Sequence, residues 1–275
     1  MTRLQLWQGG AESGPLVLFL PGCPDSRWAA LPGHTPARRA GVRLVAVNRP
    51  GYGDSAAAAS THLTVADALV GVAGDLGAER FAVLGMSVGG TYALACAARH
   101  PDRVVAVATV SAPGDLSRMD PPHHRDGLSA AQDEQLARVR SAPSVEAAME
   151  LLRPEFEAYR TARLRAVSAG SSDEAAVRRD VEALTCPDGY LRDAAVMLRA
   201  WEWDPSSVRC PVLVVHGGRD EQASVRNAHW LAAEVPGARL RVLEAADHLQ
   251  ALRESWDALL ADLSVGGAPT GPGVV

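Results

Sequence analysis

The sequence predicts an α/β fold with a mostly parallel sheet and a helical insertion, and three observations carry that reading. Short apolar runs at Leu16–Leu20, Arg43–Val47, Phe81–Leu84, Val104–Val110 and Pro211–His216 alternate with stretches of helical spacing, the grammar of successive βαβ units. LVLFL and PVLVVH are apolar almost throughout, as strands buried on both faces should be. Between Asp115 and Asp204 strand-like runs stop, and charged amphipathic segments replace them.

Taken in order, Leu4–Trp7 alternates and reads as an edge strand, and Pro15 introduces Leu16–Leu20, which ends in the loop PGCPDS. Arg43–Val47 runs into NRPGYGDS, a second Gly-rich turn. Thr64–Leu76 has helical spacing with Thr64 as N-cap, and a helix from Val88 to about His100-Pro101 follows the Phe81 strand. The insertion offers helices at Ala130–Arg140, Ser144–Leu152, Phe156–Val167, Asp173–Leu184 and Tyr190–Trp203, broken at Pro143, Pro154, Gly170 and Pro187-Asp188-Gly189. Sheet grammar resumes with Pro211–His216, a helix over Ala223–Glu234, a strand at Arg239–Leu243 and a final helix over Ala251–Leu263. The expected organisation is a discontinuous core of residues 1–114 and 205–263, a helical lid of 115–204, and a Gly/Pro-rich tail of 264–275 expected to be disordered.

A chain of 275 residues is long enough for one large domain with an insertion. The net charge is −5, and all 27 basic residues are Arg, scattered among Asp and Glu. No nucleic-acid patch or polybasic membrane patch results. The opening MTRLQLWQGG has no apolar core of signal-peptide length, and no run is long enough to span a bilayer. Cys23, Cys96, Cys186 and Cys210 lie far apart without C-x-x-C spacing, against a zinc site or a disulfide framework. A cytoplasmic protein without metal or cofactor is expected.

The chemistry centres on FAVLGMSVGG, Phe81 to Gly90. An apolar strand run meets an Ala-rich helix through Gly85-Met86-Ser87-Val88-Gly89, and a Ser on so sharp a turn needs small neighbours. Such a turn lifts the hydroxyl above the sheet to a helix N-terminus, where backbone N–H groups can bind a developing oxyanion.

A Ser hydroxyl needs a base, and the base an orienting acid. In an open parallel sheet, residues that can meet lie in loops at the carboxyl ends of strands. Of eight His residues, His248 lies in such a loop, after Arg239–Leu243. His216 ends a strand and reads as a loop-holding residue; His100 and His229 sit on helices, and His123-His124 in PPHHRD read as a solvated loop. For the acid, Asp220 in HGGRD gives the chain order Ser, Asp, His and is favoured; Asp115 in SAPGD, which also trails a strand, stays a rival.

Together LFLPGCPDS, NRPGYGDS, GMSVGG, HGGRD and ADH make the chain from about Leu16 to Leu263 resemble the α/β-hydrolase superfamily. The resemblance is nearest to its lidded branch of small esterases, proline-iminopeptidase-like enzymes and C–C-bond hydrolases. It implies Ser87 as nucleophile, His248 as base, Asp220 as acid, and an oxyanion hole from the backbone N–H groups of Val88 and Cys23. Pro24 has no N–H to give. Two positions depart from the pattern: Pro21-Gly22 stands where His-Gly is usual, and Asp247-His248 where Gly-His is usual. Neither removes a catalytic atom, but the first alters the hydrogen bonding that shapes the oxyanion loop. Cys23 reads as a small pocket-lining group.

The function so implied is a serine hydrolase acting on a small carboxylic ester or related acyl compound, a small-molecule substrate. Met149, Phe156, Tyr159, Tyr190, Met197, Trp201 and Trp203 are candidate pocket residues from the lid. Glu202 could hold the amine of an exopeptidase substrate. The same triad serves C–C-bond, thioester or lactone hydrolysis and cyclisation, and a ligand-binding receptor on this fold is the alternative from another class.

Overall fold

Alternation along β2 (Leu16–Leu20) sets the layers. Leu16, Leu18 and Leu20 join one buried cluster and Val17 and Phe19 another, so the strand has a core on each face. The computed structural model describes residues 3–168 and 174–264. Its sheet has seven strands in the order β1-β3-β2-β4-β5-β6-β7, with β1 (Leu6–Gly10), β3 (Arg43–Val47), β4 (Phe81–Met86), β5 (Val104–Val110), β6 (Val212–Gly217) and β7 (Arg239–Leu243). Every neighbouring pair is parallel except β1 with β3, where Leu6 faces Val47.

Helices cover both faces. α2 (His62–Asp75), α3 (Val88–Arg99) and α8 (Arg226–Glu234) bury Leu69, Leu94 and Leu231 on one side. On the other side α1 (His34–Ala40), α9 (His248–Arg253) and α10 (Trp256–Ser264) contribute Ala37, Leu252 and Trp256, whose ring meets Phe19 at 5.3 Å. Between β5 and β6 lie α4 (Ala130–Arg140), α5 (Val145–Ser168), α6 (Glu174–Leu184) and α7 (Pro187–Met197), which share a third apolar cluster built on Leu116, Leu152, Phe156, Leu184 and Leu191. No described helix is long and apolar enough to cross a membrane.

Several boundaries differ from the sequence reading. The edge strand starts later, at Leu6. Thr61, not Thr64, caps α2; Thr64 sits at the third helical position, its hydroxyl accepting from the Thr61 N–H while Thr61 accepts from the Thr64 N–H. α5 runs through Pro154 as one helix of 24 residues. An interior Pro costs roughly 3 kcal/mol, and here Ala148, Met149, Leu152 and Phe156, all buried on one face, offset it. α7 ends at Met197, before Trp201 and Trp203. The final helix divides at Glu254 into α9 and α10. α1 escapes the sequence reading because Pro32, Gly33 and Pro36 disguise it. Gly170, Asp173 and the tail from 265 lie outside the described residues.

The first residue of α2, His62, is 2% exposed and packs tilted or edge-on among the rings of Tyr92, Trp201 and Trp203. Burial, aided by the charge of Arg49, pushes its pKa down to about 3. A histidine depressed in the native state takes its proton first in the unfolded chain. Its contribution is therefore intact above the ordinary value near 6.5 and is lost as pH falls from there toward 3. The Tm of the parent protein should thus fall more steeply between pH 7 and 4 than that of His62→Asn, even though the variant starts lower. Parallel slopes in a thermal-melt series would contradict the neutral buried imidazole.

Candidate active site

β4 ends at Met86 and α3 begins at Val88, leaving Ser87 alone to turn the chain. It does so at φ 51, ψ −129, a region that strains any residue with a Cβ. Ser87 N–H donates to Val110 O at 2.8 Å and Ser87 O accepts from Gly90 N–H at 2.8 Å, which fixes the turn at both ends. A Cβ on Gly85 would overlap the backbone of Gly89, and one on Gly89 would fall 2.5 Å from Pro21 O. Helix and strand thus approach at glycine distance, so the turn cannot relax.

At the far side of the sheet, β6 leads to Asp220 and β7 to His248. His248 Nδ1–H donates to Asp220 Oδ2 at 2.7 Å, and Asp220 Oδ1 accepts from the N–H groups of Gln222 at 2.9 Å and Ala223 at 2.8 Å. Burial alone would raise the Asp220 pKa; the hydrogen bond and charge of His248 and the Ala223 N–H outweigh it and draw it below the usual carboxylate range. Asp247 caps α9, accepting from Leu249 and Gln250 N–H while its own N–H donates to Gln250 Oε1. His248 therefore opens a helix whose start is fixed by a capping box.

Ser87 and His248 line one cavity of about 280 Å³, together with Cys23 and Val88. No hydrogen bond joins Ser87 Oγ to His248 among the described residues, and such bonds often tighten only around substrate. The N–H groups of Cys23 and Val88 likewise have no acceptor among the described residues. The Cys23 Sγ points its hydrogen to Tyr190 O at 3.9 Å, and burial, with the charge of Asp193, pushes its pKa up, so it is a neutral thiol. Among the described residues no group of His, Cys, Asp and Glu could hold a metal ion.

A sequence model of the α/β hydrolase fold matches residues 15–254. The chain belongs to the α/β-hydrolase family. With relatives named as esterases and hydrolases, it is an enzyme of the hydrolase class. Among its relatives, a pimeloyl-[acyl-carrier protein] methyl ester esterase of Aromatoleum aromaticum is 28% identical over 84% of this chain and 88% of that one. A protein of the same name from Chromobacterium violaceum is 28% identical over 64% of this chain and 65% of its own length, just under two thirds. In three dimensions this α/β hydrolase is similar to a thermophilic esterase from Thermogutta terrifontis, with a TM-score of 0.68, 20% identity and coverage of 96% and 94%. That likeness shows the fold.

Of the anticipated pocket residues, Phe156, Tyr190 and Met197 line the cavity, with the Phe156 and Tyr190 rings stacked at 4.2 Å. The other four do not. Met149 is buried in the core of the insertion, and Tyr159 is 47% exposed. Trp201 and Trp203 stack on each other at 4.4 Å beside His62, away from the cavity. Glu202 is taken by the start of α2, accepting from Leu63 N–H at 2.9 Å, so it holds no amine in the cavity. Asp115 is buried and binds Ser117 and the Trp201 N–H, which ties the two ends of the insertion together, and no hydrogen bond joins it to His248 among the described residues. His216 donates to Ala223 O at 2.8 Å.

Among the cavity residues that escaped the sequence reading, one carries a buried unpartnered ring nitrogen. His124 lines the site with Nδ1 buried and unpartnered, and burial and then the charge of Arg125 push its pKa down to about 4. Its signal was masked because a His pair between Pro122 and Arg125 looks like a solvated loop.

Because Gly85 faces backbone and not a movable side chain, Gly85→Ala should cost roughly 2–3 kcal/mol, on the order of 5–10 °C in Tm. Gly74→Ala is the contrast: it lies in α2 with nothing within 4 Å of a new Cβ, and should stabilise by ~0.5–1 kcal/mol. Differential scanning calorimetry checks both, and a neutral Gly85→Ala would contradict the close approach.

Proposed function

We propose that this α/β hydrolase is a serine hydrolase of small carboxylic esters or related acyl compounds, with Ser87 as nucleophile, His248 as base and Asp220 as the acid that orients it. One observation carries the reading: a strained Ser, a carboxylate-paired His and two unengaged N–H donors surround a single cavity. Because Nδ1–H is given to Asp220, the Nε2 lone pair of His248 is free to take the Ser87 proton as Oγ attacks the carbonyl carbon. The carbonyl oxygen becomes an oxyanion, received by the N–H groups of Val88 and Cys23. The tetrahedral adduct collapses as His248 returns its proton to the leaving alcohol. Water, deprotonated by the same His248, then attacks the acyl-enzyme and releases the acid.

Residues 115–204 act in this reading as a lid, with 1–114 and 205–263 as the catalytic core. The lid contributes Leu136, Leu152, Phe156, Met197 and Leu198 to an apolar wall, and the small volume of about 280 Å³ suits a short acyl group. Relatives named as pimeloyl-[acyl-carrier protein] methyl ester esterases support an ester with a small alcohol.

Ser87→Ala should lower kcat by about 10⁶-fold without changing the fold, and a fluorophosphonate should label the parent at Ser87 but not the variant. Near-normal turnover in folded Ser87→Ala would refute the nucleophile. Asp220→Asn should cost about 10⁴-fold, through the wrong His248 tautomer. Asp115→Asn should lower Tm and leave the kcat of the folded fraction within a few-fold. The reverse ranking would transfer the acid to Asp115. In a p-nitrophenyl ester series, kcat/KM should fall at least tenfold from butyrate to laurate; a flat or rising profile would sink the short-acyl assignment.

A further inference from the structure

NRPGYGDS takes no direct part in the reaction just described, yet its Arg49 belongs to the most buried Arg–carboxylate pair among the described residues. The Arg49 and Asp193 side chains are 2% and 4% exposed and meet at 2.6 Å between Arg49 Nη2 and Asp193 Oδ2, with Arg49 Nε at 3.0 Å from the same oxygen. The two residues come from opposite parts of the chain, the loop after β3 and helix α7. They can meet because α7 begins against Gly51: a Cβ on Gly51 would lie 2.6 Å from Gly189 N, and one on Gly189 2.6 Å from the Tyr52 ring.

Two further guanidinium hydrogens go to the oxyanion loop. Arg49 Nη1 donates to Pro21 O at 2.5 Å and Nη2 to Gly22 O at 2.8 Å. Gly22 C=O and Cys23 N–H are the two ends of one planar trans peptide group, so they point in opposite directions. With the carbonyl held on the Arg49 side, the Cys23 N–H is turned the other way. Asp193 reaches the second donor too. Its Oδ1 accepts from Tyr92 O–H at 2.8 Å, and Tyr92 stands on α3, the helix that Val88 begins; its Oδ2 also accepts from Tyr52 O–H at 2.8 Å. Both phenols are buried beside a carboxylate and are pushed well above their ordinary pKa, so they stay protonated donors. Both rings also lie under the guanidinium, at 5.3 and 5.1 Å.

We propose that Arg49 is a positioning residue for the oxyanion-binding peptide of Cys23, and that Asp193 of α7 locks it in place and references that peptide to the start of α3. The helical insertion is then part of the frame that sets the distance between the two oxyanion donors, beyond covering the site. This rests on the hydrolase reading above, in which the N–H groups of Cys23 and Val88 receive the oxyanion.

Arg49→Lys and Asp193→Asn test it. Lys is a point charge that cannot span two carbonyls and a carboxylate, and Asn keeps the shape of Asp193 while removing its charge. Each should lower kcat by about 10²-fold with KM changed less than threefold, since a misplaced donor weakens the transition state and not the ground state. Affinity for an alkyl boronic acid, which forms a tetrahedral adduct on Ser87, should fall by the same factor, while affinity for the planar carboxylate product stays constant. A merely structural pair would lower Tm and leave kcat and boronate affinity of the folded enzyme unchanged, which would overturn the proposal. Should both variants fail to fold, Tyr52→Phe removes one donor to Asp193 and leaves the ion pair. It should lower kcat and boronate affinity five- to tenfold together at constant KM, and unchanged values would equally overturn the proposal. If the parent protein neither takes a fluorophosphonate label nor binds the boronate, the hydrolase reading falls and this inference with it. A labelled, active parent with undiminished variants defeats the inference alone.

Discussion

The backbone of Ser87 is held where it would not stay by itself, and much of the molecule follows from that constraint. A non-Gly residue at φ 51 costs of order 1–3 kcal/mol and persists only when its surroundings over-determine it. Here they do. The Ser87 N–H is engaged by Val110 of the neighbouring strand, Gly85 and Gly89 allow strand and helix to close on each other, and Gly89 lies against the backbone of Leu20 and Pro21. The turn therefore fixes three things together: the hydroxyl, the Val88 N–H, and the place where the β2 loop must pass. Only a parallel order that puts β2 and β5 on either side of β4 supplies these contacts.

Polar contacts fasten the insertion to this frame, beside apolar ones such as Trp201 in the sheet's own buried cluster. Glu182 on α6 accepts from Arg27 Nε at 3.0 Å, Trp28 Nε1 at 3.0 Å and Asn48 Nδ2 at 2.7 Å. Asp193 on α7 receives four donor groups from Arg49, Tyr52 and Tyr92. A buried ion pair is weak evidence of stability, because desolvation offsets most of its attraction. What it supplies is geometry, since the hydrogen-bonded pair must meet at fixed distance and angle whereas apolar burial is non-directional. α6 and α7 are thus registered against the loops after β2 and β3, and α4 and α5 are carried by their own apolar cluster.

How much of this was legible in the sequence depended on the range of the cause. Strands buried on both faces announce themselves as apolar runs, so the parallel sheet could be read, and the strained Ser turn between a strand and a helix could be found from five consecutive residues. Helix ends were set by single side chains: Thr61 and Thr64 exchange bonds at one cap, and Pro154 is overridden by Phe156 and its neighbours packing below. The orienting acid was harder: the chain order Ser, Asp, His favoured Asp220, yet Asp115 also lies between Ser87 and His248. The fold turns the β6 loop toward His248 and the Asp115 loop toward Trp201. Pocket aromatics were half legible, because helical spacing gives a stripe but not the direction it faces. Arg49 and Asp193 stand 144 residues apart, and nothing local marks them as partners.

The two departures from the family pattern acquire physical reasons in this arrangement. Asp247, in place of the usual Gly, is the N-cap that starts α9 at His248, and a capping residue lends about 1 kcal/mol to the helix that carries the imidazole. Pro21, in place of the usual His, has a fixed φ and no N–H, so its backbone can be held only through its carbonyl. Arg49 takes that carbonyl and the next one, Gly22 O, with the two arms of one guanidinium. A loop whose first residue lacks a donor thus borrows its rigidity from a planar fork, and the fork is held by a carboxylate in the insertion. Through that chain of contacts a residue change at position 21 and a helix more than 160 residues downstream become one structural problem, in which neither can vary freely while the Cys23 N–H keeps its direction.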